Sequence, residues 1–313
     1  MDDCRRCRRT RRLILSFVAL ATIAFPSFTF AQRFDDVGVR AQGMAGAFVA
    51  VADDASATWW NPAGLATALH AVDFSGEVSE GGRGGIALGF PSLGLSYYRL
   101  KISQIQPSGS TASGGSSRQD NGAAGSSVPS GDVGLSQFGL TVGQSLTRHL
   151  VIATTVKLVN AQGDTRADLD VGAMAAFGVM RLGVTVRDVR NPTFGSGADA
   201  IELDRRARAG AAVIVPGRGK LDGLTIAVDA DLNSAQAGGR DEQEVAGGVE
   251  TWWVGRRIGV RGGVGTNTAA GGGSFGAFGV TVVPYPRLNV DGAVTRGSDS
   301  ARNQWSFGVR LAY

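Results

Sequence analysis

"NQWSFGVRLAY", Asn303–Tyr313, decides the fold. Trp305, Phe307, Val309, Leu311 and Tyr313 share one parity, and Ser306, Gly308, Arg310 and Ala312 share the other. Successive side chains of a strand point to opposite faces, so this is a strand with one apolar face and one small or polar face. The alternation recurs upstream. Leu224, Ile226, Val228, Ala230 and Leu232 alternate with Thr225, Ala227, Asp229 and Asp231. Met180, Leu182, Val184 and Val186 alternate with Arg181, Gly183, Thr185 and Arg187. Ile258, Val260 and Val264 alternate with Gly259, Arg261, Gly263 and Gly265, and Leu288, Val290 and Val294 with Asn289, Asp291 and Thr295.

A soluble sandwich and a membrane barrel both produce this period. Three features separate them. The segments run about 9–11 residues, the span of a tilted strand across a bilayer, whereas globular strands cluster near 5–6. The 47 glycines, many on the polar face, suit a curved wall with small lumen-facing residues. The connections alternate: short turns at 91, 147, 177–178, 216–221, 254–256 and 285 face mostly longer ones at 105–131, 161–166, 189–201, 233–242, 267–273 and 297–302. Bacterial outer-membrane barrels have short periplasmic turns and longer outer loops. The expectation is therefore all-β: a transmembrane antiparallel β-barrel of about 14 strands over residues 71–313. The segment 105–131 is a low-complexity run of Gly, Ser and polar residues, read as an outer loop within one continuous sheet and not as an interdomain linker.

Residues 1–31 read as a secretory signal peptide. Six arginines precede the apolar run Leu13–Phe25, Pro26 breaks it, and Thr29-Phe30-Ala31 places small residues at a cleavage position. A retained anchor is the weaker alternative. Without these six arginines and two aspartates, 25 basic and 25 acidic residues remain, so the net charge of +4 belongs entirely to the leader. The neutral remainder gives no reason to expect nucleic acid as a partner. Both cysteines, Cys4 and Cys7, lie in the leader as well.

Signals for chemistry are few. His70 and His149 are the only histidines, and no G-x-S-x-G elbow or P-loop occurs. No enzymatic activity, metal site or cofactor is expected. The polar parity carries Lys157, Arg181, Arg187, Arg208, Arg261 and Arg310 with Asp168, Asp170, Asp229, Asp231, Glu244, Glu250 and Asp291. These are expected to face the lumen, as a solvated or mutually paired wall in preference to a selectivity filter.

Residues 32–70 precede the first strand and do not share its period. Fourteen strands enclose space that is open or plugged, so this segment is expected as an N-terminal plug inside the barrel. Asp53, Asp54 and Asn61 would satisfy amides or pair with lumen arginines, and Trp60 and Pro62 complete the set read as gating residues. Pro62 biases Asn61 toward an extended conformation.

"GVRAQGMAGAFVAVADDASATWWNPAGLA", Gly38–Ala66, resembles the N-terminal signature of PorV/PorQ-like outer-membrane proteins within the broader FadL-like family of long-chain fatty acid transporters. The resemblance is carried by Arg40-Ala41, Gly43-Met44, Ala50–Ala55 and Trp60-Asn61-Pro62-Ala63-Gly64-Leu65. Terminal Tyr313 resembles the signal read by the barrel-assembly machinery. The family implies a fourteen-stranded barrel with an N-terminal hatch in the outer membrane of a Gram-negative cell. Its FadL-like members pass hydrophobic compounds through a lateral opening, and its PorV-like members serve protein secretion. The expected partners are accordingly outer-membrane lipid, the assembly machinery, and either a hydrophobic small molecule or secretion-system proteins. Ala45 departs from the family's second glycine, and the charged, glycine-rich lumen offers little greasy lining.

Overall fold

The computed structural model describes residues 37–67, 71–103, 132–195, 200–237, 240–269, 272–298 and 302–313. The expected leader 1–31, residues 32–36 and 68–70 of the expected plug, and the low-complexity loop 105–131 lie outside the described residues. Two short helices come first, α1 (Val39–Gly43) and α2 (Ala57–Trp60), then a 3-10 turn over Pro62–Thr67. Apart from one further 3-10 turn, Glu80–Gly82 between the first two strands, the remaining elements among the described residues are strands. In order these are β1 (Asp73–Ser79), β2 (Arg83–Phe90), β3 (Leu93–Ser103), β4 (Asp132–Ser145), β5 (Leu150–Ala161) and β6 (Asp164–Phe177). Next come β7 (Met180–Arg187), β8 (Thr193–Phe194), β9 (Ile201–Glu202), β10 (Arg206–Arg218), β11 (Leu221–Asp231) and β12 (Ala235–Ala237). The last are β13 (Arg240–Glu242), β14 (Glu244–Trp253), β15 (Ile258–Asn267), β16 (Ser274–Tyr285), β17 (Leu288–Gly297) and β18 (Gln304–Ala312).

Fourteen of them close into an antiparallel barrel, as the alternation implies. β1 pairs with β18 from Asp73 opposite Ala312 to Ser79 opposite Ser306, so the sheet has no edge. The four shortest strands form two small hairpins, β8–β9 and β12–β13, within the connections that follow β7 and β11. One expected connection is corrected. Residues 161–166 are not a long loop: β5 and β6 run on, and Gln162 and Gly163 alone make the turn, both at positive φ (53° and 83°). Two left-handed residues match the right-handed twist of a hairpin. The outer end of β6 carries Asp164, Thr165 and Arg166, so it has no apolar face to betray it as strand.

The two faces separate as the parity requires. On β18, Trp305 and Phe307 are 42% and 45% exposed, whereas Gln304 and Ser306, on the other parity, are each 4% exposed. On β11, Val228 is 54% exposed and its neighbour Asp229 is 1% exposed. A wall that turns its apolar side chains outward and its charges inward is matched to hydrocarbon outside and a polar interior. No helix among the described residues is long and apolar enough to cross a membrane, and the strands are the spanning elements. The packed core lies inside the barrel. Met44, Ala47, Phe48, Val49 and Trp59 of the N-terminal segment join Ala87, Tyr98, Ala212, Ala227 and Ala246 of the wall in one buried cluster.

Candidate functional site in the barrel lumen

The lumenal segment, residues 37–67, is built from tight local devices. α1 is only five residues long, and its first N–H groups are satisfied from the wall: Gly38 and Val39 donate to the Glu77 carboxylate of β1 at 2.8–3.1 Å. Asp54 Oδ1 accepts from Ser56 N–H (3.0 Å) and Ser56 Oγ (2.5 Å), closing the turn that launches α2. Asn61 is extended (φ −158°, ψ 103°), the conformation that the following proline favours. Gly64 passes so close to the Ala52 carbonyl that a Cβ there would overlap it. Trp60 Nε1 donates to the Val37 carbonyl at 2.7 Å, tying the two ends of the segment together.

The first half of the segment is held by charge. The Arg40 guanidinium lies at the centre. It reaches Glu250 of β14 through two hydrogen bonds (2.8 and 2.7 Å), Asp53 at 2.6 Å and Asp54 at 3.2 Å. Arg310 of β18 reaches Asp54 from the other side at 3.1 Å. Arg181 of β7 stands 3.6 Å from Asp53. The network continues through the wall: Arg261 of β15 bonds Glu250 (3.2 Å) and Asp291 (2.6 Å), and Thr281 donates a short hydrogen bond to Asp291. Buried charges persist only when paired in this way. Burial alone would push the Asp54 carboxyl up, but Arg310 and Arg40 overcome it and hold this group below its ordinary value of 3.8. Asp229 of β11 acts differently, accepting from the Phe48 and Val49 backbone N–H groups at 2.7 Å each.

The second half is held by packing and neutral hydrogen bonds. Asn61 Nδ2 donates to the carbonyls of Val49 (3.0 Å) and Ala173 of β6 (3.1 Å). Thr58 Oγ1 meets Tyr98 Oη of β3 at 3.0 Å, and Trp59 packs edge-on against the Tyr98 ring at 5.4 Å. The Arg187 guanidinium of β7 stacks on the Trp59 ring at 3.7 Å. The wall is hollowed to receive the backbone. A Cβ at Gly183 would lie 2.6 Å from the Val49 carbonyl oxygen, one at Gly248 2.7 Å from that of Met44, and one at Gly94 2.7 Å from Thr58 Cγ2. The lumen-facing glycines thus trace the path of the segment across the wall.

A second charged belt lies toward the long-loop end. Lys157 Nζ of β5 sits among Asp168 (3.2 Å), Asp170 (2.6 Å) and Asp188 (2.6 Å). These three carboxylates converge closely enough for a metal ion, but the ammonium occupies their centre. The same group docks the connection after β7, since Asp188 N–H donates to Asp170 and Arg190 N–H to Asp168. Farther round, Arg208 bonds Asp231 (2.6 Å) and Glu244 (3.4 Å), and Arg302 bonds Glu244 (2.6 Å). Phe194 of β8 is fully buried beside Ile201 and Leu203, in the same cluster as Leu100, Leu135 and Val159 of the wall.

The residues singled out in the sequence are therefore spread over several groups. Asp53 and Asp54 meet Arg40, Arg181 and Arg310; Glu250, Arg261 and Asp291 extend that group; Asp231 and Arg208 belong to the outer belt. Trp60 packs edge-on against Phe48, and Pro62 opens the 3-10 turn. Tyr313 is exposed at the barrel's end with Arg287 over its ring at 5.0 Å. Sequence reasoning passed over Glu77 and Asp188, and it noted Arg40 only as part of the Arg40-Ala41 motif, with no partner. Arg40 and Asp188 lie outside the alternating strands whose parity marks lumen charges, whereas Glu77, in β1, sits on the polar parity beside Val78 and was legible there.

No family model matches the chain, and no curated protein does. Solved structures do match. CymD, a monoaromatic hydrocarbon channel, superposes with a TM-score of 0.60 at 11% identity, covering 90% of this chain and 99% of its own. The Ralstonia pickettii toluene transporter TbuX gives 0.61 at 11%, covering 89% and 99%. A Pseudomonas aeruginosa FadL homologue gives 0.54 at 12%, covering 90% and 99%. At these identities the likeness is one of fold, and it takes in nearly the whole length of each neighbour.

Proposed function

We propose that this protein is an outer-membrane channel for small hydrophobic solutes, with residues 32–70 acting as a plug that must shift to open it. The observation that carries the proposal is a lumen filled by a segment that joins no wall strand. Side-chain latches and packing hold the segment, so it can leave its seat without breaking a strand ladder. Neighbours described as hydrocarbon and toluene transporters support the solute class by analogy of fold. Asp53, Asp54, Trp60, Asn61 and Pro62 belong to the plug and have no catalytic part. Export by a cleaved leader and insertion through a Tyr313-bearing last strand complete the proposal. The test is uptake of toluene into proteoliposomes holding the full barrel. Transport above protein-free vesicles supports the channel, and none in the parent or in plug-loosened variants contradicts it.

The second reading is a PorV-like scaffold for secretion or surface assembly. It is favoured by one observation, the densely ion-paired lumen around Arg40 and Arg261, which is unlike a greasy path. Co-purification of secretion-system proteins with a barrel that passes no solute would favour it.

A further inference from the structure

The six short turns at one end of the barrel differ in charge from everything else in the wall. They comprise residues 91–92, 146–149, 178–179, 219–220, 254–257 and 286–287, and they hold Arg148, Lys220, Arg256, Arg257 and Arg287 but no carboxylate. All five cations are exposed, and none is paired with a described side-chain carboxylate. Asp222, at the start of β11, accepts from the Arg256 backbone N–H. At the other end the described charges are of both signs: Arg166 stands 3.8 Å from Asp164, and Glu202 and Asp241 are exposed among the arginines. Immediately inside the cationic turns, on the β14–β18 side of the barrel, lie outward-facing aromatics. Trp253, Tyr285 and Tyr313 end their strands there and are exposed outward, beside exposed Val254 and Leu146. Aromatic girdles mark the boundary between hydrocarbon and headgroups, so the cations just beyond stand at headgroup depth.

We propose that the short-turn rim is a collar that binds anionic phospholipid headgroups of the adjoining leaflet. The inference rests on the reading of the wall as membrane-embedded. A guanidinium pairs with a phosphodiester through two parallel hydrogen bonds, and unpaired cations at a membrane surface select net-negative lipid over zwitterionic lipid. Arg287 is held over outward-facing Tyr313 at 5.0 Å, whereas Arg256 lies over Trp252, on the lumenal parity of β14, at 4.9 Å and so marks the inner edge of the rim.

The test uses the full chain in detergent with equal amounts of phosphatidylglycerol and phosphatidylcholine, and counts retained lipids by native mass spectrometry. Phosphatidylglycerol should be retained at least about fivefold over phosphatidylcholine. The preference should fall toward parity in R148Q/K220Q/R257Q/R287Q and on raising salt. The opposite-end variant R99Q/R166Q/R296Q should keep it. No preference in the parent, persistence in the quadruple variant, or loss in the opposite-end control each overturns the collar. Should the quadruple variant fail to give a compact, heat-resistant barrel, R257Q/R287Q takes its place and must at least halve the preference. A parent chain that inserts into vesicles of neither lipid removes the membrane reading itself, an outcome distinct from insertion without preference.

Discussion

The two halves of the lumenal segment are held by different physics. Residues 37–56 are gripped by ionised groups: Arg40 against Glu250, Asp53 and Asp54, and Arg310 against Asp54. Residues 57–67 are gripped mainly by shape and neutral hydrogen bonds, with one stacked cation and no ion pair: Trp59 and Thr58 on Tyr98, Arg187 on Trp59, Asn61 on backbone carbonyls, Gly64 against Ala52. They are also the half joined through the chain to β1. Ion pairs can re-form with other partners or with water after a shift, whereas close packing has no alternative partner of the same shape. The comparison casts the first half as the part that moves and the second as its anchor.

The largest effect should come from the charged half. Arg40→Gln leaves Glu250, Asp53 and Asp54 facing one another with one cation fewer. Breaking a buried pair costs about 3–5 kcal/mol, and the lower end applies because Arg261 still faces Glu250. In planar bilayers the variant should show frequent large openings with an intact barrel by heat-modifiable migration. Closed, parent-like traces would mean that charge does not hold the segment. Gly64→Val strikes the anchor. Its Cβ overlaps a carbonyl oxygen, and overpacking of this kind costs about 1–3 kcal/mol. Protease protection of residues 57–67 in the assembled barrel should fall, while protection in Arg40→Gln should fall only for residues 37–56. Asn61→Ala removes two hydrogen bonds to carbonyls, worth about 1 kcal/mol each. It should raise channel noise and leave the main closed level in place.

The fold was legible because lipid and lumen differ at every step of a strand. Trp305 to Tyr313 and Met180 to Val186 therefore announce their faces residue by residue. The outer end of β6 escaped, since polar residues on both of its faces erase the period there. The seat of the segment was illegible for another reason. Arg40 and Glu250 are 210 positions apart, and the glycines that admit the backbone carry no side chain to mark them. Asp53, Asp54 and Asn61 could be read as groups needing partners, but which arginine each would meet depends on barrel closure.

The smallest expected effect is that of acid. Asp54 has its carboxyl held below the ordinary 3.8, so its ion pairs contribute fully above that value and are lost as pH falls through the depressed one. The Asp54 contribution should therefore be lost only below about pH 4, read as a rise in open probability there. A rise centred near neutrality would assign the gate to some other group.

The central claim, that the first half of the segment must leave its seat to open the barrel, is tested most directly by tying it down. A Cβ at Gly308 of β18 would lie 3.6 Å from Val39 Cβ, within the range a disulfide requires. The only native cysteines are Cys4 and Cys7, replaced by serine wherever the leader is retained. Single-channel recordings of V39C/G308C would compare the oxidised and reduced forms in the same bilayer. The account predicts a silent oxidised channel that regains openings on addition of reductant. Equal currents before and after reduction would contradict it.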